Sequence, residues 1–154
     1  ATLSAWIRAD SGLGSREIVA LETNQGSNAM PYFTLALTQI NTTLRAWITT
    51  TNAAGYQSTA VEGITAGTLH LVGATFASSL VTVWLDGVAV GTLATSGSTL
   101  FTAGSSERWT ISDAAGPGER FIGRIADVRV YQTAQSASWW RETYQRGAGS
   151  YLGQ

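Results

Sequence analysis

Two stretches of this chain, LSAWIRA at 3–9 and LRAWITT at 44–50, share the pattern L-x-A-W-I, and VTVWLDG at 81–87 obeys it with other aliphatics. In an extended chain successive side chains point to opposite faces. Leu3, Ala5 and Ile7 therefore share one face, and Trp6 lies on the other with Ser4 and Arg8. The same parity sets Trp47 beside Arg45 and Thr49, and Trp84 beside Thr82 and Asp86. Strands built this way have no face that can be left bare. The aliphatic side needs a core, and the indole side needs a cover or a ligand.

Periodicity predicts strands over 2–8, 17–22, 32–38, 43–50, 68–76, 80–86 and 121–131, each rich in β-branched, aliphatic or aromatic residues. Seventeen glycines, in clusters such as SGLGS (11–15), NQGSN (24–28), TSGS (95–98) and AAGPG (114–118), punctuate them. Asp86-Gly87 between two alternating runs predicts a tight hairpin. Trp109, in ERWTIS (107–112), is expected in a strand near a loop. Many short strands with regular turn signals predict an all-β fold, a two-sheet antiparallel sandwich of jelly-roll type.

One short helix is expected near the C-terminus, capped by Ser136, running through ASWWRETYQR and ending before Gly147. Its Trp140 and Tyr144 share a face at i, i+4 and are expected to pack on the sandwich. This divides the chain into a domain over 1–146 and a tail over 147–154 that reads as a loose end or an interface peptide.

Composition narrows the function. Only 12% of residues are charged, the net charge is −1, and all nine cations are arginine. That balance excludes the basic footprint of a non-specific nucleic-acid binder. The absence of cysteine excludes disulfides, thiolate chemistry and cysteine-ligated metals. No apolar run approaches the length of a membrane span.

Three segments resemble the laminin G-like branch of the concanavalin A-like lectin/glucanase superfamily. LHLVGATFASSLVTVWLDGVAVGT (69–92) is similar to its W-H-H-V-A-A-T-Y strand and the strand-D-G-strand-G-T hairpin that follows. GRIADVRVYQTAQSASWWRETY (123–144) is similar to its G-x-I-D-x-V-R-I-Y strand and short last helix, and TLSAWIRAD (2–10) to its F-T-L-S-A-W-V-K-P strand. The resemblance implies a concanavalin A-like jelly roll with one short C-terminal helix. It also implies structural parts for His70 in its strand and for Asp127, which would pair with Arg129 or a backbone amide. There are departures: Leu69 stands where the family has tryptophan, and Trp139 or Trp140 replaces an acidic helix residue. The family carries a strand before the S-A-W segment, often F-D-G-x-x-D-Y, whereas here nothing precedes Ala1. Either that strand is missing or its place is filled by something else, such as the C-terminal tail or another subunit, since an unfilled sheet edge invites association.

Two readings of the tryptophans stand. In the first, Trp6, Trp47 and Trp84 lie beneath loops or the helix. In the second, they form an exposed row on a concave sheet, where indoles stack on the apolar faces of sugar rings and polar neighbours bind hydroxyls. The binding candidates are then Trp6, Arg8, Arg45, Trp47, Thr49, Trp84 and Asp86. The same row could anchor a protein partner, where Trp and Arg are enriched.

Catalysis is not expected. A retaining glycosidase needs two carboxylates about 5 Å apart, and no two acidic residues here are closer than five positions in sequence. The single histidine, His70, makes a histidine metal site or a Ser-His-Asp triad a poor expectation. Calcium serves some laminin G-like domains. Asn24, Asn28 and Asp113 are loop oxygens, but no clustered acidic loop supports such a site. No cofactor is expected.

The sequence therefore predicts a non-catalytic binding or adhesion module that recognises glycan or a surface protein through a sheet face or rim loops. The alternative is a structural virion-surface protein, a capsid decoration or tail-fibre component assembling as a homo-oligomer or shell. A glycoside hydrolase-like fragment is the weaker alternative. The expected location is extracellular or the virion surface.

Overall fold

A computed structural model of the chain describes residues 1–10, 15–23, 32–49, 57–99, 107–112 and 120–151. Ten strands, β1 (Thr2–Ala9), β2 (Ser15–Thr23), β3 (Tyr32–Ile40), β4 (Thr43–Ile48), β5 (Gln57–Glu62), β6 (Leu69–Ala77), β7 (Leu80–Leu85), β8 (Val88–Ala94), β9 (Glu107–Ile111) and β10 (Gly123–Tyr131), precede one helix, α1 (Ala137–Tyr151). They form two antiparallel five-stranded sheets. The first runs β10-β1-β6-β7-β8 and the second β5-β4-β3-β2-β9.

The alternation in the sequence decides which side of each sheet is the core. Leu3, Ala5 and Ile7 of β1 and Leu44, Ala46 and Ile48 of β4 face one another's sheets, with Ile18, Leu37, Val72 and Val83 buried among them. Near-complete removal of these side chains from water is the main stabilising term, about 1.5–3 kcal/mol for each large aliphatic.

The indole side of the first sheet builds a second apolar layer. Trp6, Leu71, Trp84 and Trp140 form a separate buried cluster under α1. Ser136 caps the helix, its Oγ accepting from Trp139 N at 3.2 Å. Trp140 stacks on Trp84 with centroids 5.3 Å apart and rings 7° from parallel, and Tyr144 stacks on Trp6 at 5.8 Å. Two glycines give this layer room. A Cβ on Gly73 would fall within the Trp140 ring and against the Leu3 carbonyl, and one on Gly147 would fall within the Trp6 indole.

That last contact explains a departure from the sequence reading. The helix does not end before Gly147 but continues to Tyr151. An interior glycine costs a helix about 1 kcal/mol relative to alanine, yet here its missing side chain lets the backbone close on Trp6. Residues 147–151 are thus helical and lie over the sheet's face. They do not run along its edge as an added strand.

The Asp86-Gly87 hairpin forms as its residues require. Both adopt left-handed backbone, with φ of 52° and 82°, as a two-residue turn of this kind demands. Asp86 Oδ1 accepts from Leu71 N at 2.9 Å, and Asp86 Oδ2 lies 2.8 Å from His70 Nδ1. Because His70 Nε2 accepts from Thr65 N at 3.2 Å, the ring proton sits on Nδ1. One side chain thereby ties the turn to β6 and, through His70, to the 63–68 connection. We expect Asp86→Ala to cost about 1–3 kcal/mol, because it strands both donors. A urea titration giving a loss below about 0.5 kcal/mol would refute this role.

Candidate functional site

The seven sequence candidates do not form one row. Trp6, Arg8, Trp84 and Asp86 belong to the first sheet or its hairpin, whereas Arg45 and Trp47 belong to the second sheet's outer face, with Thr49 directly after β4. The exposed row spanning β1, β4 and β7 is therefore corrected. Trp6 and Trp84 are 1% and 7% exposed because α1 lies over them. Trp84 Nε1 is also engaged, donating to Thr75 Oγ1 at 3.1 Å. Arg8 makes a loose exposed pair with Asp10 at 3.4 Å, and both Asp86 oxygens are engaged as described. Asn24, Asn28 and Asp113 lie outside the described residues.

The second sheet carries no helix on its outer face among the described residues, and its register assembles two rows there. One row crosses Ala60, Arg45, Thr38 and Glu17; the next crosses Ser58, Trp47, Ala36, Ala20 and Thr110. Trp47 leans diagonally across the sheet, its Nε1 donating to Thr38 Oγ1 at 2.8 Å. The Arg45 guanidinium carbon stands 5.1 Å from the Trp47 ring centroid, within range of a cation–π attraction. Behind them, Thr110 Oγ1 donates to Glu17 Oε1 at 2.8 Å. Glu17, Thr38, Thr49 and Thr110 are buried, as are Ala20 and Ala36.

The solvent-facing part of this face is accordingly the strip over β4 and β5. Arg45, Trp47 and Ser58 are half-buried, while Ala60 and Glu62 are exposed. Glu62 receives hydrogen bonds from Thr42 Oγ1 at 2.8 Å and Thr43 Oγ1 at 2.7 Å. Those bonds, Thr43's first, hold its carboxyl below the usual value of 4.5. This linkage favours the fold fully above 4.5 and is lost as pH falls through the depressed folded value. NMR titration should find the Glu62 midpoint below 4.5, moving upward in Thr42→Val/Thr43→Val; an unmoved midpoint would exclude these bonds as the cause.

The arrangement offers an aromatic platform whose tilt is set by a hydrogen bond and whose edge carries a guanidinium. Hydroxyl and carboxylate groups follow along the same strip. Such a surface can stack on an apolar ring face while bonding to polar substituents. Thr38, Ser58 and Glu62 were not among the sequence candidates. For Ser58 and Glu62 the reason is β5 itself, QSTAVE, whose lone large aliphatic, Val61, gives too weak an alternation to mark a strand.

Solved structures share this architecture. The CBM40 of Ruminococcus gnavus IT-sialidase bound to α2,3-sialyllactose superposes with a TM-score of 0.77 at 11% identity, covering 93% of this chain and 81% of that one. Its complex with α2,6-sialyllactose gives 0.76 at 12% identity, over 93% and 82%. A leech intramolecular trans-sialidase gives 0.74 at 12% identity, with 92% of this chain matching 22% of that one. At these identities the likeness is one of fold. No curated protein matches the chain significantly. The sequence pattern described as "Concanavalin A-like lectin/glucanases superfamily" matches residues 1–139, and with the two-sheet jelly roll it establishes that the chain belongs to that superfamily.

Proposed function

We propose that this chain is a glycan-binding module without bond-breaking activity, and that it binds through the β4–β5 strip of the second sheet. The observation that carries the reading is Trp47, a half-buried indole fixed by Thr38 and flanked by Arg45 on the sheet that α1 leaves open. The fold neighbours support it, since the Ruminococcus gnavus modules are bound to sialyllactose. A non-catalytic role fits the engagement of five of the carboxylates. Glu17 accepts from Thr110, Glu62 from Thr42 and Thr43, Asp86 bonds His70, and Asp127 and Glu142 bond arginines. An extracellular site of action is part of this reading, in line with a glycan ligand. The virion-surface alternative draws no support from these neighbours.

A glycan array followed by titration of the best ligand tests the proposal. Trp47→Ala should weaken binding by about 10- to 100-fold, the worth of one stacked aromatic contact. The variant should stay folded with a stability loss of about 1–3 kcal/mol, from the stranded Thr38 hydroxyl and the lost half-buried ring. Undiminished binding in that variant would remove Trp47 from the ligand platform, and an array without any hit would sink the glycan reading.

A further inference from the structure

The helix does not seal the first sheet's outer face completely. Between the C-terminal half of α1 and the edge strand β10 lies a cleft of about 180 Å³, lined by Trp6, Asp127, Arg129, Thr143, Arg146 and Ser150, with the bare backbone of Gly147. It sits on the opposite side of the sandwich from Trp47.

Two guanidiniums reach this cleft from different elements, and each is held by its own carboxylate. Arg129 Nε and Nη2 donate to Asp127 Oδ1 and Oδ2 at 2.8 and 2.6 Å. Arg146 Nη2 donates to Glu142 Oε2 at 2.7 Å, one helical turn away. A guanidinium carries five N–H donors; Arg129 bonds Asp127 and also the Tyr131 side chain, so both arginines still keep donors for a further oxyanion. Asp127 adds no unmatched negative charge, because Arg129 engages both of its oxygens. Its left-handed backbone, φ 49°, falls where the β1–β10 register shifts, and a bulge of this kind re-aims neighbouring side chains.

The surrounding charge points the same way. Arg8 and Arg124 stand directly opposite one another across β1 and β10, a like-charge pairing that destabilises a sheet unless neutralised. Among the described residues Arg124 has no ion-pair partner, and Arg8 has only the 3.4 Å contact to Asp10. Four of the chain's nine arginines thus lie on this flank, facing Asp10, Asp127 and Glu142, in a protein whose net charge is −1.

We propose that this cleft is a second ligand site, distinct from the Trp47 strip. It takes an oxyanion of an acidic saccharide, a carboxylate or a sulfate ester, between Arg129 and Arg146. The Thr143 hydroxyl serves the ligand's neighbouring hydroxyl groups, and Ser150 Oγ, which donates to the Arg146 carbonyl at 3.1 Å, can accept from them.

Amide NMR titrations at constant ionic strength, balanced with sodium chloride, test the site with sodium glucuronate, sodium sulfate and neutral glucose. Both anions should shift the amides of 127–129 and 143–150, and glucose should not. Arg146→Gln, at an exposed helix position, and Arg129→Gln should each weaken the anion by about tenfold, as loss of a charge-assisted hydrogen bond does. Trp47→Ala should leave the anion affinity unchanged, so failure here is separable from failure at the first site. Tighter binding of glucuronate than sulfate assigns the cleft to carboxylated sugars; the reverse assigns it to sulfated ones. Absence of shifts with both anions, equal shifts from chloride, or full binding by a normally folded Arg146→Gln protein would overturn the proposal.

Discussion

Trp140→Ala should destabilise the protein by about 3–5 kcal/mol, the usual cost of deleting a fully buried large aromatic. Trp140 has no solvent exposure, stacks on Trp84, and meets Trp139 edge-on with centroids 5.0 Å apart. Its loss would open a cavity at the centre of the helix–sheet layer and weaken the seating of α1. Tryptophan emission should shift to longer wavelength as Trp84 and Trp6 gain water. Trp140→Phe should cost less. It keeps an aromatic ring and removes an indole N–H that is buried without a hydrogen-bond partner among the described residues. A loss below about 1 kcal/mol for the alanine variant, with unshifted emission, would mean that the helix is not seated as described.

Gly73→Ala should be nearly as damaging, although it adds a single methyl. That methyl would collide with the Trp140 ring and the Leu3 carbonyl. The carbonyl belongs to β1 in the middle of the sheet and cannot swing aside as a flexible side chain would. Overpacking typically costs 1–3 kcal/mol, and the backbone clash places this substitution at about 3 kcal/mol or above. The two changes should couple. In the Trp140→Ala background the vacated space accepts part of the new methyl, so the double variant should be more stable than the sum of the single losses. Strict additivity in urea titrations would show that Gly73 and Trp140 do not share this contact.

These two residues also show how far the sequence could be read. The alternation around Trp6, Trp47 and Trp84 reveals strands with two demanding faces, because that information lies within a few consecutive residues. The Asp86-Gly87 turn and the Ser136 cap are equally local and form as expected. The assignment of those faces is not local. Which sheet receives α1 depends on long-range pairing that puts Gly73 beneath Trp140 and Gly147 over Trp6. The same signal, a tryptophan opposite aliphatics, thus marks a helix seat at Trp6 and Trp84 and a solvent-facing platform at Trp47. Gly147 misleads for a related reason: locally it reads as a helix stop, and only the indole below it explains why the helix continues. β5 went unassigned because an edge strand with small or exposed residues carries weak alternation, whereas β8 forms as the second arm of the Asp86-Gly87 hairpin.

The most direct test of the account is to map where a glycan lands. Amide shifts should be recorded while the best uncharged array ligand, which the arginine cleft should not take, is added to the isotopically labelled chain. Perturbations centred on residues 43–49 and 57–62, with the Trp47 indole N–H among the largest, are the predicted result. Perturbations spread over the α1-covered tryptophans instead, with the Trp47 region silent, would contradict it.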